Sequence, residues 1–329
     1  MTPLGATLTR CGPPQNGANT SLIRFLLNQQ QHSVEGIDPN TTVLDYLREQ
    51  LYKTGTKEGC ASGDCGACTV VIGQPGGVNI DYQAINACIT PLGTLHGKQL
   101  ITVEDLKDKG QLHPVQQAMV DCHGSQCGFC TPGFVMSMFA FRKNNHQADR
   151  ETINEALGGN LCRCTGYRPI IDATLQLFDH DTNSNDQFTP QEQAVVKALN
   201  AITQDGSTAQ LTGKGRAFYS PTSIKALAQL MLDNPAARLV AGGTDLSLEF
   251  TQFLRTVDTL VYTGRVSELK TMKETDTHLE IGAAVTYSDL KDQLVALYSD
   301  LHALIDRLCS MHIRNHATIL CNVANSPPL

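Results

Sequence analysis

Eight of the twelve cysteines in this 329-residue chain fall into two sets of four, and each set forces distant backbone to return to one point. The first is Cys60, Cys65, Cys68 and Cys88, three of them inside Glu58-Gly-Cys-Ala-Ser-Gly-Asp-Cys-Gly-Ala-Cys68. Gaps of four and two residues before a remote fourth cysteine are the plant-type spacing for a [2Fe–2S] cluster. The second set pairs a C-x-x-C, Cys127 and Cys130, with a C-x-C, Cys162 and Cys164. Together they point to two iron–sulfur clusters in one polypeptide.

A thiolate-bound cluster is anionic, so the loop around it must aim backbone N–H groups at sulfur and bend tightly. Gly59, Gly63 and Gly66 suit such a loop, since positive φ costs glycine little, and hydrogen bonds to sulfur help set the potential. Structural zinc is the alternative; it fits the first set poorly because zinc tetrads come as two similar short-spaced pairs. On spacing alone the second set admits zinc or iron–sulfur equally. Its surroundings favour the cluster. Thr131-Pro132 signals a helix start with Thr131 as cap, and Phe134, Val135, Met138 and Phe139 follow at helical spacing. A second helix start follows Gly166 at Tyr167-Arg-Pro169, so two helix N-termini would face one anionic centre.

The strings Glu58 to Cys68, His123-Gly-Ser-Gln-Cys-Gly-Phe-Cys-Thr-Pro-Gly133 and Gly159-Asn-Leu-Cys-Arg-Cys-Thr-Gly-Tyr-Arg-Pro169 resemble the iron–sulfur segments of the molybdenum hydroxylases, most of all xanthine dehydrogenase. The resemblance implies an α+β multidomain fold. A β-grasp [2Fe–2S] ferredoxin domain would span 21–98, an all-α [2Fe–2S]-binding helical domain 99–178, a linker 179–212, and an incomplete α/β FAD-binding domain 213–329. It also implies an electron-transfer subunit of an oxidoreductase of purine metabolism. A molybdopterin-binding large subunit would be its partner, FAD its third cofactor and NAD the final acceptor; the chain would hold no catalytic residue of its own. A small subunit of an aldehyde oxidase or carbon monoxide dehydrogenase relative is the alternative, or a non-catalytic electron-transfer module with a vestigial flavin site. By the same resemblance Gln126 and Cys164 lie toward the molybdopterin.

The flavin expectation rests on Leu239, Val240, Ala241, Gly242, Gly243, Thr244, Asp245 and Leu246, with Thr318 and Asn322 from the segment Ile313 to Asn325. Read without the family, Gly242-Gly243 is an ordinary tight turn rather than a dinucleotide fingerprint. The segment departs from the family at Leu320-Cys321, which stands where a glycine pair is usual, and at Cys309, also a usual glycine. The chain ends at Leu329, before the acidic residue the family places next, so a truncated or degenerate flavin domain with weak FAD affinity is expected.

Composition narrows the class. A net charge of −7 argues against nucleic acid as a partner, no stretch reaches transmembrane length, and Met1 to Ser21 lacks an apolar signal core. Cysteine clusters without a signal peptide suit a reducing, cytoplasmic setting. Cys11, Cys122, Cys309 and Cys321 have no partner at ligand spacing, and His113, His123, His312 and His316 suggest no metal site. Periodicity predicts strands at Leu22 to Leu27, Cys68 to Ile72, Arg238 onward and His278 to Ala283. It predicts helices at Val43 to Leu51, Val103 to Leu106, Pro114 to Asp121, Pro132 to Lys143, Ile153 to Leu157, Pro169 to Phe178, Ser223 to Leu232 and Tyr287 to Leu297.

Overall fold

The structure, a computed structural model, describes residues 22–179 and 186–325; Cys11, the leader reading and part of the expected linker lie outside them. Strands β1 (Ile23–Leu27) and β2 (Gln30–Val34) form a hairpin turning at Asn28, which takes a positive φ. Thr42 then opens helix α1 (Val43–Asp45) with a reciprocal capping box to Asp45. The helix continues to Gln50 as a π-helical turn, so the segment predicted from Val43 to Leu51 is helical but widened at its end. Strands β3 (Thr69–Gly76), β4 (Asn79–Asn86) and β5 (Gln99–Ile101) complete a five-stranded sheet of order β2-β1-β5-β3-β4. Val70 and Ile72 of β3 meet Val43, Leu44 and Leu47 beneath it, which gives the β-grasp domain that was expected.

The second layer is helical: α2 (Pro114–Asp121), α3 (Thr131–Asn144), α4 (Arg150–Leu157) and α5 (Arg168–Asp179). Helix α3 is apolar all round because it is covered on both sides, by β3 and β4 and by the other helices. Its N-cap is Cys130, with no side-chain capping bond. Thr131 is therefore inside the helix rather than its cap, and its hydroxyl pairs with Ser125 at 2.7 Å.

The stretch assigned to a linker is not one throughout. Helix α6 (Glu192–Thr203) buries Val195, Leu199 and Ile202 in the helical core, and β6 begins at Ala209. Asp186 anchors its approach. Its carboxylate accepts from the backbone N–H groups of Phe188 and Thr189 and lies 3.4 Å from Lys143, which also reaches Glu192 at 3.0 Å.

The remaining segment carries a sheet of order β6-β7-β9-β8, made of β6 (Ala209–Gly213), β7 (Arg216–Ser220), β8 (Arg238–Val240) and β9 (Thr259–Tyr262). A hairpin of β10 (Met272–Glu274) and β11 (Leu279–Ile281) stands apart. Its helices are α7 (Ile224–Asp233), α8 (Leu248–Thr251), α9 (Tyr287–Leu297), α10 (Leu301–Arg307), α11 (Met311–Arg314) and α12 (Ile319–Asn325). The β2–α1 loop joins this sheet to the first: Asp38 pairs with Arg216 at 2.6 Å, and Asn40 exchanges two 2.9 Å bonds with the backbone of Val257.

Candidate metal centres

The first cysteine loop is shaped as an anion-binding loop should be. The backbone N–H groups of Ser62, Asp64 and Cys65 all point at Cys60 Sγ, at 3.3–3.4 Å. Positive φ falls at Ala61, Gly63 and Gly66. Gly59 has no such angle, and crowding explains it instead, since a Cβ there would come within 2.7 Å of Cys65 Sγ. Hydrogen bonds link the thiols in the order Cys65, Cys60, Cys88, Cys68. They hold Cys60 well below the usual thiol range and push Cys65 and Cys88 above it.

The second set closes as two pairs, Cys130 with Cys162 and Cys127 with Cys164. Burial, reinforced by Cys162, pushes the Cys130 thiol up to about 12. Cys162 is opposed by burial, but the Thr165 hydroxyl at 3.2 Å and backbone N–H at 3.5 Å lower it. Tyr167, at positive φ, folds back so that its hydroxyl accepts from Cys162 N–H at 3.1 Å. Helix α3 begins at the residue after Cys130, so its free N–H groups lie beside the set.

Among the described residues no three His, Cys, Asp or Glu side chains converge as a single ion would require. A binuclear cluster takes its thiolates as a pair on each iron, which the pairs Cys130/Cys162 and Cys127/Cys164 suit, while the first set, linked in one chain, has the plant-type spacing. The donor sets therefore fit the group. When bound, it would supply one-electron redox chemistry; the chain's part is to orient the thiols and direct N–H groups at sulfur.

The two cysteine loops touch. Leu161 N–H donates to Cys65 O at 3.0 Å, and the buried Asn160 amide donates to Gly66 O at 3.0 Å. A Cβ at Gly66 would meet Gly159 O at 2.3 Å, and one at Gly133 would meet Gly66 O at 2.2 Å. Only glycine allows so close an approach of backbone. The second loop also faces outward: Gln126, Cys127 and Cys164 are exposed, as are Phe129, Leu161 and Tyr167.

The residues expected to hold flavin are only partly brought together. Ala241, Gly242 and Thr318 line a cavity of about 210 Å³ with Lys98, Lys270, Tyr262 and His316. Gly242 is pressed on His316 O, where a Cβ would come within 2.0 Å, and the buried Thr318 Oγ1 has no hydrogen-bond partner. Burial works against ionising Tyr262, yet Lys98 and Lys270 bring its hydroxyl below the usual phenol range. The two lysines are balanced by Asp81 and Asp289 in the same lining, so it carries no net charge from these four groups. The remaining residues are elsewhere or engaged: Leu239 is half-exposed, Val240 is in the core, and Leu246 packs against the core of the first sheet. Gly243 bends at positive φ, Thr244 is half-buried, Asp245 accepts from Asn325 at 2.6 Å, and Asn322 pairs with Tyr287. At this volume, below the roughly 300–1,000 Å³ of ligand pockets, the cavity does not fit a whole dinucleotide.

Three family models match the chain: a 2Fe-2S iron-sulfur cluster binding domain over residues 25–93, a [2Fe-2S] binding domain over 102–175, and the FAD binding domain in molybdopterin dehydrogenase over 211–329. Xanthine dehydrogenase of Drosophila pseudoobscura pseudoobscura is 34% identical, and aldehyde oxidase 1 of Bos taurus 33%; each match covers 94% of this chain and 27% of the relative. The chain belongs to the molybdenum hydroxylase family. It corresponds to the family's iron–sulfur and flavin region and spans about a quarter of the length of those relatives. Among solved structures, a chain of quinoline 2-oxidoreductase from Pseudomonas putida 86 is 32% identical over 55% of this chain and 98% of its own, with a TM-score of 0.41.

Sequence reasoning missed Asn160, Ser137 and His312, which join the cysteine loops to the last segment. It set His312 aside as an isolated histidine, because its partner Ser137 lies 175 residues away. Cys122, which has no partner at ligand spacing, donates to Gln176 at 3.0 Å.

Proposed function

We propose that this region carries electrons within a xanthine dehydrogenase-like molybdenum hydroxylase. They would leave a molybdopterin centre on a partner domain or subunit, enter the Cys127/Cys130/Cys162/Cys164 cluster, and pass to the Cys60/Cys65/Cys68/Cys88 cluster. The observation that carries the reading is the direct backbone bond between the loops, Leu161 N–H to Cys65 O, which places the two candidate ligand sets side by side. Exposure supports the direction. The second set opens to the surface beside Phe129, Leu161 and Tyr167, an apolar patch suited to a partner. The first lies against the flavin segment, where Gln252 donates to the carbonyls of Cys60 and Ala61.

FAD and NAD are the acceptors that the resemblance implies for the complete enzyme. For this chain the proposal ends at the first cluster, because the flavin cavity is too small as formed. Titration with FAD should therefore show weak binding or none; stoichiometric, tight quenching of flavin fluorescence would show a competent site. The nearly equal matches to aldehyde oxidase 1 and xanthine dehydrogenase leave substrate choice to the molybdenum site of the partner. Among the described residues no helix is long and apolar enough to cross a membrane; the cytoplasmic setting rests on the cysteine usage alone.

Iron analysis and electron paramagnetic resonance of the reduced chain test the reading. Two distinct [2Fe–2S] signals are expected. Zinc in either site, or a single signal, would overturn it.

A further inference from the structure

Helix α11 and the residue after it sit where the three parts of the chain meet, and four consecutive side chains each reach a different element. His312 contacts Ser137 on α3, Ile313 lies beside Gly63 of the first cysteine loop, Arg314 pairs with Glu155 of α4 at 2.9 Å, and Asn315 donates to Ala84 O of β4 at 2.9 Å. Arg314 Nη1 also gathers the carbonyls of Ile305, Asp306, Leu308 and Cys309, which stiffens the approach to the helix. This short helix acts as a wedge held on every side.

The His312 contact goes furthest. Its ring is 1% exposed, and Nε2 lies 2.8 Å from Ser137 Oγ. The Ser137 hydroxyl donates its only proton to Asn160 Oδ1 at 2.6 Å, so toward the imidazole it can offer only lone pairs. The network thus assigns the Nε2–H tautomer. Nδ1 is left without a partner and faces Gly159, where a Cβ would come within 2.2 Å. Asn160 in turn donates to Gly66 O and, at 3.1 Å, to Thr69 Oγ1. One chain of hydrogen bonds therefore runs from the flavin segment, through the helix capped by Cys130, past the residue two before Cys162, to the peptide between Cys65 and Cys68.

We propose that His312 is a positioning residue for electron transfer between the two clusters: acting through Ser137 and Asn160, it fixes the separation of the cysteine loops, so that their geometry depends on the flavin segment being docked. This rests on the two-cluster reading above. The buried hydrogen bonds from His312 Nε2 through Ser137 and Asn160 restrain the elements they join, although Nδ1 stays unpaired, and transfer between two centres falls steeply with their separation. Removing the imidazole leaves Gly159 facing empty space and Ser137 with an unused acceptor, so the second loop gains freedom relative to the first.

The test uses the full chain, reconstituted with iron and sulfide, reduced with dithionite and examined by electron paramagnetic resonance for spin–spin splitting between the clusters. Iron content and the intensity of each signal serve as controls. In His312→Ala both signals should persist while the splitting smears, and half-reduced protein should equilibrate severalfold more slowly. His312→Gln, whose amide can donate to Ser137, should restore the splitting. Ser137→Ala, which removes one oxygen, carries the same expectation as His312→Ala and decides the matter should that variant lose a cluster. Unchanged splitting in the alanine variants, even with lowered melting temperature, would mean a merely structural role and overturn the inference. A wild-type chain with one signal would instead overturn the two-cluster reading and take this inference with it.

Discussion

Helices α3 and α7 are both rich in apolar residues, yet α3 buries an unbroken run from Gly133 to Arg142 and α7 fully buries none. The difference lies in what surrounds them. Helix α3 is sandwiched between the first sheet and three helices, whereas α7 leaves Ile224 half-exposed and Leu232 74% exposed. The same contrast holds at the sites. The cysteine loops are closed by hydrogen bonds from neighbouring backbone, while the flavin cavity keeps an unpartnered Thr318 hydroxyl. Apolar content marks both segments as helical, but how deeply each is buried depends on the elements packed around it.

The strongest way to break this comparison is at a ligand. Cys65→Ser should abolish one reduced-cluster signal and spare the other, because the two sets share no thiol; loss of both would mean the loops cannot form separately. Next, core truncations should separate the halves. Phe139 packs edge-on against Tyr82, His113 and Phe188, so Phe139→Ala should cost about 3–5 kcal/mol. Leu232→Ala should stay within about 0.5 kcal/mol, and denaturant unfolding of the cluster-loaded protein measures both. Similar losses would erase the distinction.

A smaller effect is expected at Asp186. Burial alone would raise its pKa, but the His113 imidazole 3.6 Å away, the Thr189 N–H and Lys143 hold it well below the usual carboxylate range. A depressed folded pKa contributes stability above the unfolded value of about 3.9, and that contribution fades as pH falls through the folded value. Asp186→Asn should therefore cost about 1.5–3 kcal/mol at pH 7. Its deficit relative to wild type should narrow toward acid pH, and a deficit independent of pH would assign the loss to packing. Smallest of all, Cys309 stands at φ +55, a conformation that costs a side chain about 1–2 kcal/mol and glycine little. After the extra backbone entropy glycine loses on folding, Cys309→Gly should raise stability by about 1 kcal/mol or less in thermal melts.

The cysteine sets, the helices Pro114–Asp121 and Tyr287–Leu297, and the turn at Gly242-Gly243 were legible in the chain because spacing, caps and periodicity act within a turn or two. Helix α6 was missed: Val195, Leu199 and Ile202 recur at helical spacing, but the polar stretch before it led the whole of 179–212 to be read as a linker. Strand β4 was missed although Ile80, Tyr82 and Ala84 alternate with Asn79, Asp81 and Gln83, the period-two pattern of a half-buried strand. The contacts that join the sites belong wholly to tertiary structure. Asn40 meets Val257 across 217 residues and Ser137 meets His312 across 175. Nothing local to either partner specifies the other, because a hydrogen bond between distant residues exists only after the packing of sheets and helices has brought a donor to its acceptor.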